Sequence, residues 1–583
     1  MQPPKSLETP VDVHDAPPPA EIYKPTPISW RLAILAVIVG IGLAAFYARE
    51  TIGPHGQAVA GVIFFFGIVA VFSANLRAVN WHTIVWGIGL QAILAILVLK
   101  VGFVHTAIEG MGWVVQQMLN FVQEGSKFVF GNLYDPRPAD AGGTWARLFP
   151  TGYAFQFAFV ALPPILFFSA LFTVFYHLGV LQRLVKLFAK VMLYLMRTSG
   201  AETLSVAANV FMGQTEAPLI VRPYVPRMTN SELFVLMASG MAHISGGLMA
   251  VYISYGANPV AVITTCVMAC PCSLYLSKLF LPEVSKPETG GQSEMKMDKS
   301  PYVNTVDACA AGTSDGLSLA LNVAAMLIVF IAFVAMFDAL LSGIRPLLIW
   351  LHVFTVETAP AWMEGLSLSK MFGWIFSPVA FLMGVAWKDA GHVGSLLGTK
   401  LAINEHVAFL KMKDMIAGNE MSARSFQLAA FALTGFANFS SVGIQLGGIG
   451  GMAPNRRHDL ARLGMRALFV GFTATLLNAS IAGILLPSTA EAPSAATSTT
   501  GAETAAATDQ KQAIPVGNAI PASSEKSQVA PSDKASTEKS ATDKTSSEKA
   551  SPAKSAPAPS APAPSVPAPS AKGSTDKKSA AAK

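Results

Sequence analysis

Long apolar segments separated by short polar ones run through residues 30–486. Nine of them are candidates for membrane-spanning helices, which need about 20 predominantly apolar residues. Two of these nine are interrupted by clusters of glycine, serine and polar residues, a pattern that predicts broken helices. The expected spans are 30–47, 59–72, 81–99, 155–178, 233–254, 260–280, 317–341, 426–449 and 467–486.

Two further segments have an amphipathic pattern instead. In 104–123 and in 181–197, apolar residues recur at helical spacing beside polar ones, and the second segment is basic. Such helices lie in the plane of the membrane interface with their polar side in water. We therefore expect two interfacial helices.

The stretch at 213–219 reads Gly-Gln-Thr-Glu-Ala-Pro-Leu between two apolar segments. A continuous helix is not expected here, because the stretch begins with glycine and Pro218 lacks a backbone donor. The pattern favours a re-entrant helical hairpin, with 201–212 entering the membrane and 217–225 returning. Glu216 would cost about 2.5–3.5 kcal/mol at the bilayer centre, so an acidic residue at the tip indicates function. A cytoplasmic loop between two spans is the alternative.

The same pattern returns in the second half of the chain. Residues 377–387 would enter the membrane and 393–409 would return, carrying Glu405. Both halves therefore run interfacial helix, hairpin, broken helix and plain helix, which is typical of transporters built from inverted repeats. The predicted fold class is an all-α polytopic membrane protein: an inverted-repeat transporter with two re-entrant helical hairpins, broken helices and interfacial helices.

Composition agrees with this fold class. The chain is 52% hydrophobic and 13% charged, with a mean hydropathy of +0.46, which indicates a membrane protein. A net charge of +6, spread over loops and termini, does not indicate nucleic-acid binding. Four cysteines lack metal-ligand spacing with histidine and are expected to pack in the membrane.

Charge also predicts the orientation. With nine full spans and neither hairpin crossing, the arginine clusters at 77, 183–197, 222–227 and 456–466 all fall on one side. That side is the cytoplasm, together with the amino terminus, and the carboxyl-terminal tail lies outside.

The expected segments are a disordered arm (1–28), N-terminal membrane helices (29–103), an interfacial helix and scaffold helix (104–180), a first transport repeat (181–281), a loop and scaffold helix (282–366), a second transport repeat (367–487) and a disordered Ala/Ser/Pro/Lys tail (488–583).

Polar side chains from the two halves offer carboxylates, amides and hydroxyls, and no lysine or arginine is among them. Two carboxylates without a cation would repel an anionic substrate, so the set favours a neutral, polyhydroxylated and amide-bearing solute. For the last two residues, hydrogen bonding between membrane helices is the alternative. The candidates are Gln214, Thr215, Glu216, Glu405, Asn438 and Ser441.

Three other functions compete with transport of such a solute. A symporter for sugars would need similar polar groups. An intramembrane hydrolase would need a paired nucleophile and base or a His-Glu-x-x-His motif, and the sequence contains neither. A pore or a purely structural protein would not need two glutamate-bearing hairpins.

Several linked motifs resemble the concentrative nucleoside transporter family, and the chain looks like a bacterial member. The stretch 213–219 resembles the first-hairpin motif of the family. Residues 404–409, Asn-Glu-His-Val-Ala-Phe, are similar to its second-hairpin Asn-Glu-Phe-Val-Ala-Tyr, and 435–448 to its Gly-Phe-Ala-Asn-Phe-Ser-Ser-Ile-Gly segment. The resemblance covers about residues 59–486.

The resemblance implies a homotrimer in the bacterial inner membrane, surrounded by lipid, in which each protomer imports nucleoside by alternating access with a coupled cation. Gln214, Thr215 and Glu216 would face the nucleobase. Glu405, Asn438 and Ser441 would hold the ribose hydroxyls, and Leu248 and Phe436 match positions that line the pocket. No cofactor other than the coupling cation is implied.

For that cation, Asn209 matches a side-chain ligand of the family's sodium site and Met212 a backbone ligand. His243 replaces the family's hydroxyl residue there, and His406 replaces an aromatic residue. Sodium prefers oxygen ligands, whereas an imidazole titrates near neutral pH. We therefore predict proton coupling, with His243 as the proton carrier and His406 as a weaker second. The alternative is that His243 only packs while sodium binds through Asn209 and backbone carbonyls.

Overall fold

The computed structural model describes residues 25–134, 157–160, 162–290 and 300–488, and within these ranges it is helical, with no strand. Seven helices of the described part are long and apolar enough to cross a membrane, or nine if each of two bent pairs is one span. The helices are α1 (Ile28–Tyr47), α2 (Arg49–Val71), α3 (Trp81–Lys100), α4 (Gly102–Phe130), α5 (Phe157–Val160), α6 (Leu162–His177), α7 (Val180–Met196), α8 (Gly200–Ala208), α9 (Ala217–Ile220), α10 (Asn230–Ala242), α11 (Gly246–Ser254), α12 (Pro259–Phe280), α13 (Thr305–Trp350), α14 (Leu368–Leu382), α15 (Trp387–Ala402), α16 (Glu405–Ala417), α17 (Ala423–Leu433), α18 (Phe439–Met452) and α19 (Arg457–Leu485).

Both predicted broken helices are present. The first consists of α10 and α11, separated by 243–245, and the second of α17 and α18, separated by 434–438. The second half of each is capped by a polar side chain: Ser245 accepts from the amide of Leu248, and Asn438 from the amide of Ser441. These caps satisfy amides that a helix start would leave unpaired inside the membrane.

The first hairpin enters through α8, as expected, but its return arm is not the predicted continuous segment 217–225. The chain forms only the four residues of α9, then turns, and ends in a 3₁₀ turn at Val225–Arg227. Pro218 and Pro223 account for this difference, since proline lacks the donor that helix continuation needs.

The predicted limits of the second hairpin, 377–387 and 393–409, are wrong. The chain reverses earlier, by 117° between α14 and α15. It then breaks a second time before Glu405, where Asn404 accepts from the amide of Val407 and caps α16. Asn404 has an extended backbone, and its capping side chain competes with helix continuation. Glu405 therefore begins a helix instead of ending one.

The expected interfacial helices 104–123 and 181–197 correspond to α4 and α7, and α7 is bent by 75° from α6. Residues 155–178, predicted as one span, are described from 157 onward except 161. The scaffold span predicted at 317–341 is part of the 46-residue helix α13.

A central helix packs against both broken helices. α19 contacts α10, α17 and α18, as well as α2 and α12. By contrast, α13 pairs chiefly with α6. Glycines make this approach possible, because a Cβ at Gly316 would lie 2.9 Å from the Cα of Leu166 and one at Gly312 2.8 Å from the Cα of Ala170.

A buried ion network joins the root of the first hairpin to the other helices of the first repeat. The amino group of Lys278 on α12 lies 2.7 Å from Glu202 Oε2 on α8 and 3.2 Å from Glu283 Oε2. Glu232 at the start of α10 is buried beside them and accepts from the hydroxyl of Ser199. Two carboxylates therefore contact one ammonium group and a third is buried beside them, which ties α8, α10 and α12 together.

Both predicted terminal segments are ordered where they meet the helices. Within the arm expected over 1–28, Thr26 is buried and its hydroxyl donates to the carbonyl of Ser73. At the other end, Arg424 donates to the carbonyls of Leu486 and Pro487, and Ser488 Oγ lies 2.9 Å from His55 Nε2. The rest of the predicted tail lies outside the described residues, as do residues 1–24.

Candidate substrate site between the hairpins

Glu405 lies at the start of α16 and is buried, with 4% of its surface exposed. Its Oε1 accepts a hydrogen bond from the hydroxyl of Tyr252 (2.8 Å) and its Oε2 from Nδ2 of Asn438 (3.0 Å). Tyr252 belongs to the first broken helix, and Asn438 caps the second half of the other. One carboxylate therefore contacts both broken helices.

The hydrogen bonds continue from Asn438 to the first hairpin. Oδ1 of Asn438 accepts from the amide of Ser441 (2.8 Å) and the hydroxyl of Ser440 (2.7 Å). Nε2 of Gln214, in the tip of the first hairpin, donates to Oγ of Ser441 (3.1 Å). Together with Gln445, which donates to Gln214, these side chains form a continuous set that we call the hydrogen-bond ladder: Tyr252, Glu405, Asn438, Ser441, Gln214 and Gln445.

The ladder brings together four of the predicted site residues, Gln214, Glu405, Asn438 and Ser441, although they are up to 227 positions apart in sequence. Two members, Tyr252 and Gln445, are not among the site residues predicted from the sequence. Both are polar residues inside interrupted apolar spans, and that signal could have identified them.

Glu216 is not a member of the ladder. It is solvent-exposed, and its Oε2 accepts from the backbone amide of Gly213 at 3.1 Å. It lines a cavity of about 470 Å³, the site cavity, between the first hairpin, the first broken helix, and the scaffold helices α6 and α13. Polar and apolar residues share this lining, among them Ser169, Met212, Glu216, Arg222, Ser245, Leu248, Tyr302 and Asp315.

This lining modifies the expectation of a site without cations. Lysine and arginine are not members of the ladder, but Arg222 lines the site cavity, as does Glu216. Asp315 contributes a second carboxylate from the scaffold. Burial and then the charge of Asp315 raise the pKa of Tyr302, which therefore keeps its phenolic proton and can donate a hydrogen bond.

The remaining two predicted substrate residues lie next to these groups. The backbone amide of Phe436 donates to the carbonyl of His243 (3.0 Å), which ties the two breaks together. Thr215 packs against α18 at Gly448, where a Cβ would lie 2.9 Å from Thr215 Cγ2. Gly448 thus allows the hairpin tip to approach the second broken helix.

Two of the three predicted coupling-ion residues, Asn209 and His243, contact Ser239 near the first break, and the third, Met212, lines the site cavity. Asn209 is buried, and its Nδ2 donates to the hydroxyl of Ser239 at 3.0 Å. Its Oδ1 has no donor among the described residues. His243 Nδ1 lies 2.7 Å from the carbonyl oxygen of Ser239, so this nitrogen carries a proton, and Nε2 lies 3.4 Å from Sγ of Cys270.

His406 is adjacent to the ladder and does not belong to it. Its Nε2 lies 3.1 Å from the hydroxyl of Tyr255, and its ring meets those of Tyr252 and Tyr255 edge-on. It thus occupies an aromatic environment.

Three sequence profiles match successive parts of the chain. They are described as "Na+ dependent nucleoside transporter N-terminus" (residues 60–133), "Nucleoside recognition" (158–259) and "Na+ dependent nucleoside transporter C-terminus" (261–483). The matched ranges include both hairpins, both broken helices and every member of the ladder.

The chain is also similar in sequence to individual transporters. The chain is 38% identical over 471 residues to sodium/nucleoside cotransporter 1 of Rattus norvegicus, covering 78% of this chain and 68% of the relative. It is 37% identical over 436 residues to an uncharacterized transporter of Haemophilus influenzae, covering 74% and 97%.

Solved structures are similar as well. CNTnw in an inward-facing substrate-bound state is 34% identical with a TM-score of 0.66, covering 74% of this chain and 97% of CNTnw. A CNTnw variant in an outward-facing state gives the same TM-score of 0.66. These similarities confirm the predicted all-α transporter fold and identify a multi-pass membrane transport protein, not an enzyme. The chain belongs to the concentrative nucleoside transporter family.

Proposed function

We propose that this protein imports nucleosides by alternating access, driven by a cation gradient. The observation that supports this most is the hydrogen-bond ladder, which joins the first-hairpin tip to the residues around Glu405. A neutral solute with hydroxyl and amide groups can replace these internal hydrogen bonds one for one. The names of the relatives, which include sodium/nucleoside cotransporters, support the same substrate class.

Within this proposal the two parts of the nucleoside bind to different hairpins. Gln214, Thr215 and Glu216 bind the nucleobase beside the site cavity. The ribose hydroxyls donate to Glu405 and interact with Asn438 and Ser441, while Leu248 and Phe436 form apolar walls. The buried position of Glu405 supports this assignment, because a hydroxyl that donates to a desolvated carboxylate forms a strong, charge-assisted hydrogen bond.

Competition for uptake tests the substrate class. Labelled uridine should be taken up, and unlabelled cytidine and adenosine should compete, because all share the ribose that Glu405 would bind. The corresponding monophosphates should compete poorly, since their charge would meet Glu216, Asp315 and Glu405, and these carboxylates outnumber Arg222. Strong inhibition by a monophosphate at equal concentration would contradict the proposal, and inhibition by sugars at nucleoside concentrations would favour the sugar symporter.

For the coupling ion, we propose the proton, with His243 as its carrier. The imidazole lies in the break between α10 and α11, near the end of α8 that leads to the hairpin tip, and Nε2 is the ring nitrogen that can accept a proton. His406 is the weaker second candidate. Protonation of His243 would place a positive charge near the first hairpin, in the role that sodium has in relatives.

One observation favours sodium instead. Oδ1 of Asn209 is a buried acceptor without a donor among the described residues, and such an oxygen is a suitable ligand for a hard cation. With Met212 contributing its backbone carbonyl, sodium could bind beside His243.

Two uptake measurements distinguish proton coupling from sodium coupling. In sodium-free buffer, an inward proton gradient should drive uridine uptake, whereas a wild-type protein that is inert without sodium and insensitive to the proton gradient would contradict proton coupling. His243→Ser restores an oxygen ligand and should make uptake depend on sodium. His458→Ser, a histidine at the start of α19, is the matched control and should leave ion dependence unchanged.

Assembly and orientation are also proposals. The window Ile331–Trp350 of α13 is apolar and has no buried residue, which supports packing against lipid or against other protomers. We propose a homotrimer in a bacterial cytoplasmic membrane, with a cytoplasmic amino terminus and the tail outside. A native mass equal to one protomer in mild detergent would contradict the trimer.

A further inference from the structure

A second glutamine lies directly behind Gln214. Gln445 projects from α18 and is completely buried. Its Nε2 donates to the backbone carbonyl of Met237 on α10 (3.0 Å) and to Oε1 of Gln214 (3.2 Å). Gln445 therefore connects the second broken helix, the first broken helix and the tip of the first hairpin.

This arrangement determines which way both amides face. The carbonyl of Met237 can only accept, so Gln445 must direct its NH₂ group toward it and toward Gln214. Gln214 must in turn present its oxygen to Gln445. The NH₂ group of Gln214 then points the other way, to Oγ of Ser441, on the substrate side of the ladder. Gln214 is thereby held as a hydrogen-bond donor.

Packing keeps the two side chains in place. A Cβ at Gly240 would lie 2.8 Å from Nε2 of Gln445 and 3.1 Å from Cβ of Gln214, so both fit only because α10 has glycine here. The close packing against Gly240 fixes the position of the Gln445 side chain, and the two hydrogen bonds fix the direction of its amide.

Stability does not explain why an amide is present at this position. Oε1 of Gln445 is buried and has no donor among the described residues, an arrangement that is unfavourable for folding. An apolar side chain of similar length would avoid this unpaired acceptor. Both hydrogen bonds of the Gln445 side chain are made by its NH₂ group, which donates to Met237 and to Gln214.

We propose that Gln445 is a positioning residue for nucleobase selectivity. By fixing Gln214 as a donor, it favours bases that present an acceptor, such as a carbonyl oxygen or an unprotonated ring nitrogen, at that point. Gln445 acts through Gln214 and does not contact the substrate itself. The inference rests on the proposed function, in which Gln214 binds the nucleobase.

The test compares KM for uridine and cytidine, which differ in whether position 4 of the base is an acceptor or a donor. Gln445→Met keeps the length of the side chain and removes both hydrogen bonds, so the amide of Gln214 is free to turn. We expect the ratio of the two KM values to change by roughly tenfold, the effect of one hydrogen bond, with a smaller effect on Vmax. In Gln445→Glu the carboxylate can only accept hydrogen bonds, so Gln214 turns its NH₂ group toward residue 445 and its oxygen toward the base. Selectivity should then move toward bases that donate a hydrogen bond at that point.

Gln427→Met on α17 is the control, because Gln427 borders a different cavity. Gln214→Ala distinguishes a failure of the role of Gln445 from a failure of the role of Gln214. If it changes the KM ratio while both Gln445 variants keep the wild-type ratio, the inference is overturned and the proposed function stands. If Gln214→Ala also keeps the ratio, the assignment of Gln214 to the nucleobase fails, and the inference fails with it. If one Gln445 variant does not fold, the KM ratio of the other variant alone decides the test.

Discussion

Replacing Glu405 with glutamine should lower Vmax/KM for ribonucleosides by roughly 10- to 100-fold. The two carboxylate oxygens of Glu405 accept from Tyr252 and from Asn438. An amide has a single oxygen, so its NH₂ group must face one of these donors, and it cannot accept from a ribose hydroxyl with the strength of a charged group. Hydrogen bonds to charged groups contribute about 1.5–3 kcal/mol each, which corresponds to the stated loss.

Comparing the loss of uptake among substrates shows whether Glu405 binds the ribose hydroxyls. In the Glu405→Gln variant, 2′- and 3′-deoxynucleosides should lose less than ribonucleosides, because they lack a hydroxyl that Glu405 would bind. Uptake of a series of nucleosides, normalised to the amount of purified protein, measures this difference. Glu357→Gln, at an exposed glutamate, should behave as wild type. Equal losses for ribonucleosides and deoxynucleosides would show that Glu405 does not bind the sugar.

The second large effect is expected at Lys278. Lys278→Met removes the ammonium group that Glu202 and Glu283 contact, and leaves buried carboxylates unpaired beside Glu232. Removing one partner of a buried ion pair typically costs about 3–5 kcal/mol. We therefore expect a marked fall in thermal stability and in the yield of folded protein, measured by unfolding in detergent and by gel filtration.

Two variants serve as controls for this prediction. Arg462→Met breaks an exposed ion pair with Asp459 and should change stability little, because surface pairs contribute about 0–1 kcal/mol. Combining Lys278→Met with Glu202→Gln removes one of the unpaired charges and should restore part of the loss. If Lys278→Met unfolds at the same temperature as Arg462→Met, the network does not stabilise the hairpin root.

The ladder also suggests why the site needs both halves of the chain. Within the ladder, Gln214 from the first hairpin and Glu405 from the second half are joined through Asn438 and Ser441, which lie at the start of α18. Movement of one hairpin relative to α18 would break the ladder at a defined bond. A substrate that bridges the same groups would hold them together, as alternating access requires of a bound state.

Local signals explain what the sequence could predict. The breaks at His243 and at Asn438 follow from glycine, serine and asparagine inside apolar segments, which interrupt helices and cap the next one. The first hairpin was predictable for the same reason, since glycine and proline enclose its polar tip. Four members of the ladder were predicted because polar residues are costly in a membrane and therefore indicate function.

Features that depend on distant parts of the chain could not be predicted. The reversal before Trp387 and the break before Glu405 lie in a segment whose polar residues 388–392 looked like the turn, and instead they begin α15. Tyr252 and Gln445 gain their roles only through partners more than 150 positions away. No periodicity in the sequence shows such pairings.

Concentrative uptake in reconstituted vesicles tests the central claim most directly. Purified protein in proteoliposomes, loaded without substrate, would be given labelled uridine under an imposed inward gradient of protons, of sodium, or of neither. We expect at least one cation gradient to drive internal uridine above the external concentration, and an ionophore to abolish this accumulation. Uridine that enters only to equilibrium under every gradient, or does not enter, would contradict cation-coupled nucleoside import.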